Sequence, residues 1–387
     1  MAFEHIDEQL QARRGASLFR ERRCIEAAEP RRINVDGHWY LNFSSNDYLG
    51  LAQSDALKQA AADAAATQGV GSGASPLVSG HSRSHKELED YLCEALGRDR
   101  VLLFNSGFSA NQALIQTLVP KDANVIADRL CHASMLDGAL ASGARLKRYT
   151  HNDMEHLSRL LSQSEGDCLV MTEGVFSMDG DQAPIKDILR LCQRHQALAF
   201  VDDAHGFGVL GAQGLGSAEL HGADQASLPL LMATFGKAIG TSGAFAATTE
   251  MFYDYLVNFA RHYIYSTAMS PLMAAITLRS LRLVREESWR REKLQQNIQL
   301  FKTLSAEHGL SLMPSDTAIQ PLLVGEADRA LTCAEDLRQA GFFLVAIRPP
   351  TVPDGQSRLR VTLSAAHQGE DIKQLVQAIA RKAQDGA

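Results

Sequence analysis

Lys237 is the single charge in the stretch from Pro229 to Ala247, PLLMATFGKAIGTSGAFAA, where it follows a β-like apolar run and sits among glycines. Desolvation disfavours an ammonium in such surroundings. The lysine therefore snorkels its head to water at a strand end, finds a partner, or sheds its proton and becomes a nucleophile able to form a Schiff base with a carbonyl. Other polar groups also stand just after strand-like runs: Asn105-Ser106-Gly107-Phe108, His132, Ser177, Asp202 with His205, and Thr234 in the lysine's own stretch.

Each of these has a plain reading beside a chemical one. The Asn105 to Phe108 group joins a strand to a helix, so the free N–H groups of Gly107 and Phe108 form an anion site or simply belong to a capped helix start. Asp202 directly follows the apolar run LAFV. A carboxylate there is costly unless it meets a cation, which a core arginine or the protonated nitrogen of an aromatic cofactor would supply. His205 puts an imidazole close by. Taken together, an anion cradle, a carboxylate, histidines and an isolated lysine fit pyridoxal 5′-phosphate, with the lysine on its carbonyl and the carboxylate on its ring nitrogen.

The elements that must position these groups alternate along the chain. Strand-like runs at VLLF, NVIAD, RLKRYT, CLVMTE, LAFVDD and LLMATF are each apolar or short, and helical patterns lie between most of them. Apolar, non-alternating strands in β-loop-α repeats predict a mostly parallel sheet with helices on both faces, and ligands there sit beyond the strand C-termini. A glycine and serine loop, GVGSGASPLVSGHSRSH, precedes the first of these units. Before it, residues 3–23 predict an amphipathic helix ending in Arg20, Arg22 and Arg23. A long helical region from Met269 to Glu307 leads to a smaller α/β domain with strands at AIQPLLV, FFLVAI and SRLRVTL. The expected organisation is an N-terminal helical segment and arm over 1–45, a large domain over 46–280 and a small C-terminal α/β domain over 281–387.

Composition narrows the function classes. The balance of 38 basic against 45 acidic residues, without a basic block, argues against nucleic acid and anionic lipid as partners. Six cysteines without C-x-x-C pairs read as reduced thiols and give no zinc site. The N-terminus lacks the apolar core of a signal peptide and no run suits a membrane span, so a cytoplasmic protein is expected. Two motifs are decoys. Gly206 to Gly211 fits G-x-G-x-x-G, but AQGLGS after it is no helix, and Gly236-Lys237 lacks the first glycine and the Ser/Thr of a phosphate-binding P-loop.

At the level of motifs, FSSNDYLGL, SGFSANQA, TEGVFSMDGD, VDDAHGFGVLG, TFGKAIGTSGA, RHYIYSTAMSP and IRPPTVPDGQSRLRVTLS resemble the signature blocks of the α-oxoamine synthases. The resemblance covers nearly the whole chain, with a departure at Ala74 and Pro76 of GSGASPLVSG. It implies the aspartate-aminotransferase-like fold (fold type I), with a large mostly parallel sheet domain. It also implies pyridoxal 5′-phosphate as cofactor and a decarboxylative condensation of a small amino acid with an acyl thioester. The blocks FSSNDYLGL and IRPPTVP point to L-alanine and a pimeloyl thioester, carried on coenzyme A or a carrier protein; siblings that use glycine or serine share the cofactor residues. By the same resemblance Lys237 is the Schiff-base lysine, Asp202 the partner of the ring nitrogen and His205 a partner of the ring hydroxyl. His132 is similar to the histidine stacked on the ring, and is both catalytic and substrate-binding. Gly107, Phe108 and Thr234 match phosphate or ring contacts, with Ser177 near the ring oxygen. Ser266 and Thr267 resemble a segment reaching the phosphate in the other subunit of a homodimer with shared active sites, and Arg20, Arg348 and Thr351 resemble substrate contacts.

Overall fold

The computed structural model describes residue 3 and residues 5–385; residues 1, 2, 4, 386 and 387 of the expected terminal segments lie outside the described residues. The chain divides into two compact units.

One unit comprises Leu49–Ser177 and Gln182–Arg291. Its seven-stranded sheet runs, from edge to edge, Arg100–Phe104, Ala244–Thr248, Leu230–Thr234, Leu198–Asp202, Cys168–Glu173, Asn124–Asp128 and Arg145–Tyr149. All neighbouring pairs are parallel except those made by Ala244–Thr248, which runs antiparallel to both its neighbours. Strands such as Asn124–Asp128 and Ala244–Thr248 are buried along their whole length, as helices on both faces require. The sequence reading did not separate Ala244–Thr248 from the lysine stretch. It is alanine-rich and begins just after Gly243, whose φ of +100° suits glycine and where a Cβ would lie 2.2 Å from Met269 Cε and 3.0 Å from the Phe104 carbonyl oxygen. The expected single helical region from Met269 is two helices, Pro271–Glu286 and Trp289–Glu307, and the division between the units falls inside the second.

The other unit comprises Met1–Tyr48, Met178–Asp181 and Glu292–Ala387. The strand His38–Asn42 belongs to an antiparallel set with Ile25–Ala28 and Arg32–Val35, and pairs in parallel with Phe342–Phe343. This pairing is why the N-terminal arm belongs with the C-terminal region. A second sheet orders Ile319–Gly325, Ser357–Thr362 and Ala346–Ile347, all antiparallel. The N-terminal helix differs from expectation: it spans His5–Gly15, buries no side chain, and ends before Arg20, Arg22 and Arg23. Its sequence, HIDEQLQARRG, spaces too few apolar residues to form a stripe, and Gly15 ends it. His367 is buried in this unit against Phe43, with ring centroids 4.1 Å apart.

Candidate active site

The C-terminal ends of neighbouring strands in the large sheet surround a cavity of about 180 Å³. Gly107, Phe108, His132, Asp202, His205, Thr234 and Lys237 all line it, as do Asn111 and Glu173. Seven of the residues singled out from sequence thus meet at one place. Lys237 sits in the turn that follows Leu230–Thr234; its Nζ lies 2.8 Å from His205 Nε2. That turn is held by the Phe235 N–H on the Gly243 carbonyl at 2.9 Å and the Gly240 N–H on the Lys237 carbonyl at 2.8 Å. The Thr234 hydroxyl donates to the Gly243 carbonyl at 2.8 Å and accepts from the Gly236 N–H at 3.3 Å.

Asp202 ends its strand 4% exposed. Asn111 Nδ2 donates to its Oδ2 at 2.7 Å and the Ala204 N–H to its Oδ1 at 3.0 Å, so neither hydrogen bond comes from an arginine. The next residue, Asp203, has a different task. It accepts the N–H and hydroxyl of Ser217, each at 2.6 Å, and burial pushes it up to about 7. Three glycines crowd this carboxylate: a Cβ at Gly174, Gly206 or Gly216 would lie 2.0 to 2.2 Å from an Asp203 oxygen. The glycines of the apparent dinucleotide motif therefore serve, at Gly206, a packed turn rather than a phosphate loop.

Ser106 caps the helix Gly107–Leu118 by accepting the Ser109 N–H at 3.2 Å. The N–H groups of Gly107 and Phe108 have no hydrogen-bond partner among the described residues and face the cavity end of the helix, as an anion site requires. His132 Nδ1 is 2.7 Å from the Ser134 hydroxyl, and its ring meets Phe108 edge-on. Burial holds the His132 imidazole below its ordinary value, with Lys237 adding to this and Asp202 opposing it. Ser177 does not line the cavity; its N–H donates to Glu173 Oε2 at 3.3 Å.

Ser266 and Thr267 do not line the cavity either. Their segment is tied down by Asn105 Nδ2 on the Thr267 carbonyl and the Ser72 hydroxyl on the Ala268 carbonyl, both at 2.7 Å. In the other unit, Arg20 Nη2 donates to Thr351 Oγ1 at 2.9 Å, while Arg348 donates to the carbonyls of Ser17 and Phe19. Burial, and then the nearby Arg20, hold the Arg348 guanidinium below its usual value. Sequence reasoning missed Asn111 and Glu173. Asn111 lay inside a helix and Glu173 at a strand end, where each type is ordinary; the register of Glu173 opposite Asp202 on the neighbouring strand was the available signal.

The donor set suits pyridoxal 5′-phosphate: an amine for its carbonyl, a buried carboxylate without an arginine for its ring nitrogen, and open helix N–H groups for its phosphate. Buried Glu173 Oε1 and Asn111 Oδ1 have no partner of their own and lie on residues lining the same cavity.

The aminotransferase class I and II family model matches residues 39–379, and the chain belongs to that family. Within it the chain is 48% identical over 377 residues to the 8-amino-7-oxononanoate synthase of Cellvibrio japonicus, covering 96% of this chain and 95% of that protein. Among solved structures, serine palmitoyltransferase from S. paucimobilis with bound PLP and myriocin superposes with a TM-score of 0.93 at 26% identity, covering 99% of this chain and 98% of that one. The 8-amino-7-oxononanoate synthase of Francisella tularensis superposes with a TM-score of 0.79 at 30% identity, covering 90% and 98%. The resemblance to α-oxoamine synthases and the fold type I expectation hold. The chain is a pyridoxal-phosphate-dependent acyltransferase.

Proposed function

We propose that this enzyme condenses L-alanine with a pimeloyl thioester to give 8-amino-7-oxononanoate, carbon dioxide and free thiol, a step of biotin biosynthesis. The convergence of Lys237, Asp202, His132 and His205 on one cavity supports the chemistry, and the relatives at 48% identity support the substrates. Bound pyridoxal 5′-phosphate supplies a carbonyl for amine exchange and an electron sink for the α-carbon of the amino acid.

Lys237 Nζ would hold the cofactor through its carbonyl and, as the free amine, would take the α-proton of alanine as general base. His205 Nε2, at 2.8 Å, orients that amine and faces the ring hydroxyl together with Ser177. Asp202, aligned by Asn111, holds the proton of the ring nitrogen. The Gly107 and Phe108 N–H groups would bind the phosphate, and the Thr234 hydroxyl would join them by turning its proton away from the Gly243 carbonyl. His132, whose imidazole is held below its ordinary pKa by desolvation, covers the ring and contacts substrate. A carbon–carbon bond then forms between the alanine α-carbon and the acyl carbon, the thiolate leaves, the α-carboxyl group departs as CO₂, and a proton returns to the α-carbon. Arg20, Arg348 and Thr351 receive a substrate carboxylate, the guanidinium fork suiting it.

Ser266 and Thr267 reach the phosphate site of a second copy. Exposed apolar surface at Val70, Val78 and Tyr265, each more than 70% exposed, supports this. We place the reaction in the cytoplasm; among the described residues no helix is long and apolar enough to cross a membrane. Product formation from pimeloyl-CoA with alanine, glycine or serine in turn tests the reading: turnover with alanine supports it, and turnover with glycine or serine alone transfers the chain to a sibling synthase. Sedimentation tests the dimer, a monomer under turnover conditions contradicting it.

A further inference from the structure

Glu173 and Asp202 end adjacent parallel strands and are direct Cα partners across them, so their side chains project to the same face of the sheet. Both line the cavity, 3% and 4% exposed. Their hydrogen bonding differs. Asp202 receives a donor on each oxygen, from Asn111 and Ala204. Glu173 receives the Ser177 N–H on Oε2, whereas its Oε1 is buried and unpartnered. A bare carboxylate oxygen buried without a donor carries a large desolvation penalty, whereas a hydroxyl there needs an acceptor, which a ligand in the cavity supplies once the carboxyl group turns its Oε1 towards it. Two carboxylates side by side out of water do not both ionise, and the member that receives more hydrogen-bond donors keeps the charge.

We propose that Glu173 acts as a cofactor-facing hydrogen-bond donor, its Oε1–H given to the ring oxygen of bound pyridoxal 5′-phosphate while Asp202 remains the carboxylate of the pair. The ring oxygen is the acceptor because Ser177, whose N–H holds the other Glu173 oxygen, belongs to that edge of the cofactor in the reading above, on which this inference rests. Burial, and then Asp202, hold Glu173 well above the usual carboxylate range; Lys237, the Ser177 N–H bonded to Oε2 and the nearby His132 N–H, which makes no hydrogen bond to Oε1, oppose them without reversing the direction. The titratable groups around it are thus Asp202 on the neighbouring strand, Lys237 beyond the next, and His132 with Cys131 ahead of the helix Ala133–Ser142. A second anion beside Asp202 would be repelled by it; a neutral donor is not.

Infrared difference spectra of the full chain test this, comparing wild type with Glu173→Gln before and after cofactor is added. Wild type shows the carbonyl band of a buried carboxylic acid that Glu173→Gln lacks, and the band shifts when pyridoxal 5′-phosphate binds. Cofactor affinity by absorbance titration gives the second readout. Glu173→Gln, which keeps a neutral donor, stays within about threefold of wild type, and Glu173→Ala, checked for folding by circular dichroism, weakens about tenfold, as loss of one such hydrogen bond implies. Absence of the acid band, or a band that does not move on binding, overturns the inference, as does Glu173→Gln weakening as much as Glu173→Ala. Wild type that binds no pyridoxal 5′-phosphate at all overturns the functional reading as well.

Discussion

Asp202 is 4% exposed and held by Asn111 and Ala204, whereas Arg20, in the other unit, is exposed and donates to the Thr351 hydroxyl. The first site is made of strand ends, where Asp202 has both carboxylate oxygens held by donors fixed in place by the sheet and its adjoining helix. The second draws on residues far apart in the chain, Arg20 and Thr351 being 331 positions apart, and leans on the backbone carbonyls of Ser17 and Phe19. Charge placed in a dry, preorganised cavity acts more strongly than charge at a wet surface. Substitutions in the cavity should therefore strike the chemistry, and those at the arginines mainly binding.

The sharpest contrast comes from Lys237→Ala. It should lower turnover about a thousandfold or more, removing anchor and base together, and abolish the visible absorbance of bound cofactor. Ordinary turnover in that variant would break the comparison. Asn111→Ala comes next. It leaves the Asp202 carboxylate without its Nδ2 donor and should lower kcat about ten- to a hundredfold while the protein stays folded, read by steady-state kinetics beside a thermal melt.

Stability separates the regions in another way. In the unit holding the arginines, His367 accepts the Ser364 N–H on Nδ1 and donates from Nε2 to the Asn42 carbonyl, each at 3.0 Å, an arrangement that suits only the neutral ring. Burial lowers its pKa to about 4. The unfolded chain thus binds a proton near the ordinary histidine value of about 6.5 while the folded chain does not. Stability is present above that value and is lost as pH falls from about 6.5 towards 4, by up to about 3 kcal/mol. Denaturant titrations at several pH values should show this slope in wild type and a flatter one in His367→Gln. The smallest effect belongs to Arg20→Ala, expected to raise the KM for the thioester about five- to tenfold with kcat little changed. A kcat loss as large as that of Asn111→Ala would erase the distinction between the sites.

The same contrast explains what could be read from the residues alone. In a parallel sheet every group just after a strand converges on one crevice, so His132, Asp202, Thr234 and Lys237 could be grouped before any coordinates were known. Arg20 and Arg348 were reached through motif resemblance, since nothing local to RERR or to IRPPTVP says that a second arginine will approach it. Glu173 escaped because a glutamate closing a strand has no distinctive spacing; its meaning lies in its register with Asp202, which depends on which strands are neighbours. Ala244–Thr248 escaped because its alanines and flanking glycine mask the strand pattern, and the terminal helix was over-extended because arginine-rich sequence supports a helix without marking where it stops.

The most direct test of the whole account is the visible spectrum of the cofactor-loaded enzyme titrated with L-alanine, and separately with glycine, before pimeloyl-CoA is added. The account predicts that alanine perturbs the cofactor band and that the thioester changes it again as product forms. A cofactor-replete enzyme with no such band, or one whose band answers to glycine and not to alanine, contradicts it.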